Sequence, residues 1–155
     1  MNNIKKITAI ALFSFLLMGC DKISEMTSSK TQEVTISLED SKKEFKHIDI
    51  LDNEFVAEIS ALQDKKIPLP ISLLEDYEKK YLSLEIKNKD IDNFRQLSAN
   101  YLNNYALFIK RIQTLKTEED KKSALELQNK LNEMGKVLRQ TKIDLIKKLN
   151  AKVKQ

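Results

Sequence analysis

The sequence predicts an all-α protein: an antiparallel bundle of three long helices with coiled-coil-like packing, set behind a flexible tether. The middle helix is open to division at Lys87-Asn88-Lys89. Two observations carry this. From residue 37 onward apolar residues recur at spacings of three and four, the period of a helix with one buried stripe. Only Gly19 and Gly135 are glycine in 155 residues, whereas a sheet-rich or doubly wound fold needs several turn glycines. The chain also shows no internal repeat, which argues against a solenoid.

Ser37 is the expected N-cap of the first helix, with Glu39 and Asp40 favouring its positive end. Phe45, Ile48, Phe55, Ile59 and Leu62 mark its apolar stripe and predict a helix over residues 38–65. Pro68 and Pro70 end it, because neither offers an N–H and each restricts the residue before it. Ser72 with Glu75 three residues on reads as a capping box for a second helix, whose stripe is Leu74, Tyr77, Tyr81 and Leu84. Ile91, Phe94, Ser98, Tyr101, Tyr105, Phe108, Ile112 and Leu115 then form the cleanest heptad in the chain. Thr117 and Asp120 open the last helix as a weaker capping box. Leu127, Leu131, Met134, Leu138, Thr141 and Leu145 continue its period. Gly135 inside that helix costs about 1 kcal/mol relative to alanine unless it serves close packing.

Ahead of the bundle the pattern changes. Lys5 and Lys6 form a short positive segment. Ile7 to Met18 follow as an apolar run of twelve residues, too short for a hydrocarbon core of about 30 Å. Leu17-Met18-Gly19-Cys20 closes the run. These residues resemble the lipobox of bacterial lipoprotein precursors, which signal peptidase II cuts before a diacylated cysteine. Met18 departs from the commoner alanine or serine. The resemblance implies cleavage between Gly19 and Cys20 and a lipid anchor of diacylglycerol and N-acyl (palmitate-type) chains on Cys20. It further implies a protein that faces the periplasm from a cell membrane. Asp21 after the cysteine resembles the enterobacterial signal for retention in the inner membrane, which favours that membrane over the outer one. The expected organisation is thus a signal peptide over residues 1–19, a lipidated cysteine and tether over residues 20–36, and a helical domain over residues 37–155. The tether is rich in Ser, Thr, Lys, Gln and Glu. Val34 and Ile36 lack a partner strand and are read as part of it.

Charge and composition exclude more than they assign. The chain carries 27 basic and 23 acidic residues, and loss of Lys5 and Lys6 leaves 25 against 23. That is too near neutrality to imply nucleic acid. Only Arg95, Arg111 and Arg139 are arginine, the residue suited to bidentate phosphate recognition. Cys20 is the sole cysteine, so no intramolecular disulfide forms. His47 is the sole histidine. Glu44 and His47 have the Glu-x-x-His spacing of di-iron bundles, but those sites need two such motifs. No serine sits in a nucleophile turn and no glycine loop cradles phosphate. Glu54/Glu58 and Glu118-Glu119 occupy helical positions suited to charged surface. No catalytic activity, metal or non-covalent cofactor is expected.

Two segments read as binding surface. Asn100-Tyr101-Leu102-Asn103-Asn104-Tyr105 interleaves amides with aromatics, and Tyr101 and Tyr105 are candidate partner-binding residues as well as core candidates. Lys142, Lys147, Lys148, Lys152 and Lys154 make a basic amphipathic end that suits anionic headgroups or simple solubility. The expected function is a membrane-anchored, non-catalytic adaptor that holds another envelope protein or associates with itself. Two other readings stand beside it. One is an immunity, entry-exclusion or superinfection-exclusion lipoprotein, by analogy of class alone. The other is a carrier of lipid or small ligands, which requires a hollow bundle.

Overall fold

A computed structural model describes residues 36–151. The signal segment, Gly19, Cys20, Asp21, Val34 and the tether up to residue 35 lie outside the described residues, as do Lys152, Val153 and Lys154. The described residues are all-α, with four helices: α1 (Leu38–Asp64), α2 (Ile71–Ser83), α3 (Lys89–Gln113) and α4 (Glu118–Ala151).

Each helix end has a local cause. Ser37 caps α1, its hydroxyl accepting from the Asp40 N–H at 3.0 Å. At the other end the Lys66 N–H donates to the Gln63 carbonyl and the Ile67 N–H to the Leu62 carbonyl, both at 2.9 Å. This is a Schellman ending, and it places Lys66 in the left-handed region at φ 56°. The expected capping box at Ser72 does not form. Helix α2 starts two residues earlier, with Pro70 at the N-cap and no side-chain cap. Glu75 instead pairs with Lys110 of α3 at 2.8 Å. Thr117 and Asp120 do form a reciprocal cap on α4. The Thr117 hydroxyl accepts from the Asp120 N–H at 3.1 Å and the Asp120 carboxylate accepts from the Thr117 N–H at 2.9 Å. That backbone N–H, then that of Lys116, holds the Asp120 carboxyl below its ordinary range.

The middle helix of the three expected is two. At Leu84–Asn88 the chain leaves the helix and reverses. Three side chains fasten the reversal. Glu44 of α1 accepts the N–H groups of Lys87 and Asn88, each at 3.0 Å. Asn88 caps α3, accepting from the N–H groups of Asp90 and Ile91. Arg95, held by Asp92 at 2.6 Å, donates to the carbonyls of Tyr81 and Leu82 at the end of α2. Several of the backbone groups that the two helix ends leave unpaired are thereby satisfied.

Cross-helix contacts pair residues in reversed order along successive helices. Tyr77 and Tyr81 of α2 bond to Glu58 and Asp52 of α1. Arg111, Asn104 and Asp90 of α3 meet Asp120, Lys130 and Lys148 of α4. Helix α3 is the centre. Besides the predicted stripe it buries Ala99, Leu102, Ala106 and Ile109, so it packs on two sides. Phe45 of α1 meets Phe94 of α3 at 6.2 Å between ring centroids, and Phe55 meets Tyr77 at 4.8 Å.

The seam of α4 runs differently from the predicted stripe. Its buried residues are Ala124, Leu131, Gly135, Leu138, Leu145 and Leu149, and Lys142 sits in line with them at 16 % side-chain exposure. Met134 and Thr141 lie beside this seam, only partly buried.

Candidate functional site

The most concentrated chemistry inside the described residues is a polar junction of α1, α2 and α4. Asp52 occupies a core position on α1, between Ile48 and Phe55, and is 3 % exposed. Its carboxylate accepts from the Tyr81 hydroxyl on one oxygen and from the Lys142 ammonium, at 2.6 Å, on the other. Lys142 also donates to Asp49 at 3.1 Å. A buried carboxylate is costly unless paired and hydrogen-bonded, and here both oxygens are occupied.

The electrostatics follow from that geometry. Burial pulls the Lys142 ammonium towards neutrality. The Asp52 charge and the hydrogen bonds to Asp52 and Asp49 outweigh it, so its pKa stands above the ordinary lysine value. Burial, then the Asp52 charge and hydrogen bond, push the Tyr81 hydroxyl well above the ordinary tyrosine value. One full positive charge sits between two negative ones, with a neutral phenol as fourth member. The arrangement locks three helices by charge-assisted hydrogen bonds. Two surface clefts lie elsewhere. One of about 380 Å³ opens beside the α1–α2 turn, and one of about 480 Å³ lies on the outer side of α2 and α3. Neither is lined by a member of the junction.

The residues singled out in the sequence are dispersed. His47 is exposed on α1, and Glu44 of the same Glu-x-x-His spacing is spent on the backbone of Lys87 and Asn88. Glu58 accepts from Tyr77 at 2.7 Å. Among the described residues no group of three or more His, Cys, Asp or Glu side chains stands together as a metal site. No described helix is long and apolar enough to cross a membrane. Of the basic C-terminal segment, Lys142 turns inward, while Lys148 pairs with Asp90 at 2.9 Å and Lys147 reaches Asp144 at 3.9 Å.

Tyr101 and Tyr105 are each 5 % exposed, and their rings lie 6.3 Å apart inside the bundle. Burial pushes the Tyr105 hydroxyl up to about 12. It raises Tyr101 further, with Tyr105 adding to the effect. What this segment presents outward is Asn100 and Asn103, while Asn104 is buried and accepts from Lys130. Asn93, Gln96, Asn100, Asn103 and Leu107 are all exposed on α3. They recur at three, four, three and four, a second heptad line offset from the buried one. That spacing was available in the sequence, but the stronger aromatic heptad masked it. Comparison of the chain with protein-family models, with curated proteins and with solved structures gave no match.

Proposed function

We propose that this chain is a bacterial lipoprotein, anchored through lipid on Cys20 and facing the periplasm, whose helical body is a non-catalytic adaptor in the cell envelope. The observation that carries the reading is the run from Lys5 through the apolar segment to Leu17-Met18-Gly19-Cys20. Charge, length, small residue and cysteine follow each other there in the order that lipid attachment requires. Two or three acyl chains hold a protein firmly, at about 0.8 kcal/mol per buried CH₂. Asp21 favours the inner membrane.

In this reading the body is an antiparallel bundle with coiled-coil-like seams. Two features support an interaction role for it. The most polar buried cluster, Asp52 with Tyr81 and Lys142, ties helices together and borders neither cleft. Between Asp90 and Lys110 the fully exposed residues of α3 are uncharged, with Asp92 and Arg95 part-buried and paired with each other, in keeping with the depletion of charge at interface centres.

The test is crosslinking in cells followed by affinity purification of the wild-type chain beside Cys20→Ala. The adaptor reading expects labelled palmitate on the wild type alone, its recovery with membranes, and a defined crosslinked partner that Cys20→Ala loses. Absence of lipid on Cys20 removes the anchor. Lipidation with no crosslinked species of any kind removes the adaptor.

A further inference from the structure

Helix α1 is held differently from the other three. Helix α3 runs close along both α2 and α4, whereas α1 approaches its neighbours at only a few places. Its fully buried apolar side chains are Phe45, Ile48, Phe55 and Ile59, and the other two buried positions, Ser41 and Asp52, are polar. What α1 adds to this narrow seam is acceptors. Glu44 takes the N–H groups of Lys87 and Asn88, and Ser41 takes the Asn88 side-chain amide at 3.0 Å. Asp49 and Asp52 take the Lys142 ammonium, Asp52 also takes the Tyr81 hydroxyl, and Glu58 takes that of Tyr77. In each case the donor belongs to another element. Water replaces such bonds when a helix leaves, so a seam of this kind opens more readily than an apolar seam of equal length.

The connections differ in the same way. Arg95 of α3 reaches back to the carbonyls of Tyr81 and Leu82 and braces α2 against α3. Asp120 of α4 accepts the N–H groups of Lys116 and Thr117 and pairs with Arg111 at 3.8 Å, bracing α3 against α4. The connection from α1 to α2, residues 65–70, has no such brace. The N–H groups of Lys65, Lys66 and Ile67 all donate back into the end of α1, and that of Leu73 donates to the Pro70 carbonyl at the start of α2. Among the described residues no backbone hydrogen bond joins the two sides of Pro68.

We propose that α1 is a releasable arm, which leaves the bundle as one unit about residues 65–70 while α2, α3 and α4 stay folded. Few buried apolar side chains and an unbraced connection are the marks of a segment that opens below the free energy of global unfolding. The α1 carboxylates are its latch, with Asp52 at the centre because it alone joins α2 and α4 together through Tyr81 and Lys142. In place, α1 covers Tyr77, Tyr81, Phe94 and Lys142. Its release uncovers them as an aromatic face carrying hydroxyl and ammonium donors. The arm does not depend on the anchor at Cys20.

The experiment is amide hydrogen exchange of the full chain at neutral pH, read along the sequence by mass spectrometry. In wild type, residues 45–59 of α1 are expected to exchange at one common rate, at least about tenfold above the slowest amides of α3 and α4. Thr117→Ala gives the second reading. It removes the α4 cap, and its side chain bonds to Asp120 alone. The cap is present whether α1 is seated or released. Its loss therefore speeds the slowest amides of α3 and α4 about fivefold and leaves α1 unchanged. Asp52→Asn speeds α1 about tenfold, because the seated arm loses its charged acceptor. An α1 that exchanges no faster than α3 overturns the arm. So does Thr117→Ala speeding α1 and α3 alike, the behaviour of one cooperative unit. An α1 rate that ignores Asp52→Asn overturns the latch. Wild type and Thr117→Ala decide the arm even where Asp52→Asn fails to fold.

Discussion

Lys142 of α4 places its ammonium 2.6 Å from one carboxylate oxygen of Asp52 on α1, across 90 residues of sequence. The two helices otherwise touch little, so this contact matters more than its single bond suggests. Breaking a buried pair from one side strands the other charge, at about 3–5 kcal/mol. Asp52→Ala and Lys142→Met are each expected to destabilise the fold by an amount in that range. The double variant should be less destabilised than the sum of the two. Urea denaturation of the four forms, read by circular dichroism, measures the coupling. Additive losses would mean that the pair does not interact.

The same junction sets the behaviour at high pH. Lys142 and Tyr81 both have raised pKa values in the fold, as do Tyr77, Tyr101 and Tyr105. A raised folded value gives stability that is whole below the unfolded value and is lost as pH rises through the folded one. For tyrosine the unfolded value is about 10, and for lysine about 10.4. Stability is therefore expected to be flat in these groups up to about pH 10 and to fall above it. Since all four tyrosines of the chain are involved, phenolate absorbance should stay low through pH 10. It should then appear together with loss of helix. A separate phenolate signal near pH 10 on a folded chain would count against their burial.

Lys66 gives a prediction of opposite sign. It ends α1 at φ 56°, where an L-residue with a Cβ is strained by about 1–2 kcal/mol and glycine is not. Lys66→Gly should therefore stabilise the chain by about 1 kcal/mol, less the entropy that glycine gives the unfolded state. Raised thermal and urea midpoints with an unchanged m value are the expected readout.

The helices were legible because their period is local. Ser37 and Thr117 cap where their side-chain chemistry predicts, and the heptad from Ile91 to Phe108 is the buried line of α3. The polar junction was not legible, because its parts are joined by tertiary packing alone. A signal did exist. Phe45, Ile48, Asp52, Phe55 and Ile59 keep an unbroken spacing of three and four, so Asp52 stands on the core line. An apolar stripe without Asp52 has a gap of seven between Ile48 and Phe55. On α4 the same bias shifted the line by one. Gly135 and Lys142 belong to the seam, although their neighbours Met134 and Thr141 look more apolar. The division of the middle helix was hinted at by Lys87-Asn88-Lys89. Its reversal depended on Glu44, whose role as a cap for a distant backbone leaves no mark in local pattern.

Tyr101 separates packing from recognition. Its hydroxyl is buried and has no hydrogen-bond partner among the described residues, and such a group costs about 1–3 kcal/mol. Tyr101→Phe removes the hydroxyl and keeps the ring beside Tyr105, so it should raise stability by about 1 kcal/mol. The yield of crosslinked partner should not change, since the ring faces the bundle interior. A loss of crosslinking with stability preserved would instead place the Tyr101 hydroxyl at the contact. Denaturation and crosslinking on one preparation give both readings, and only the first is expected to move.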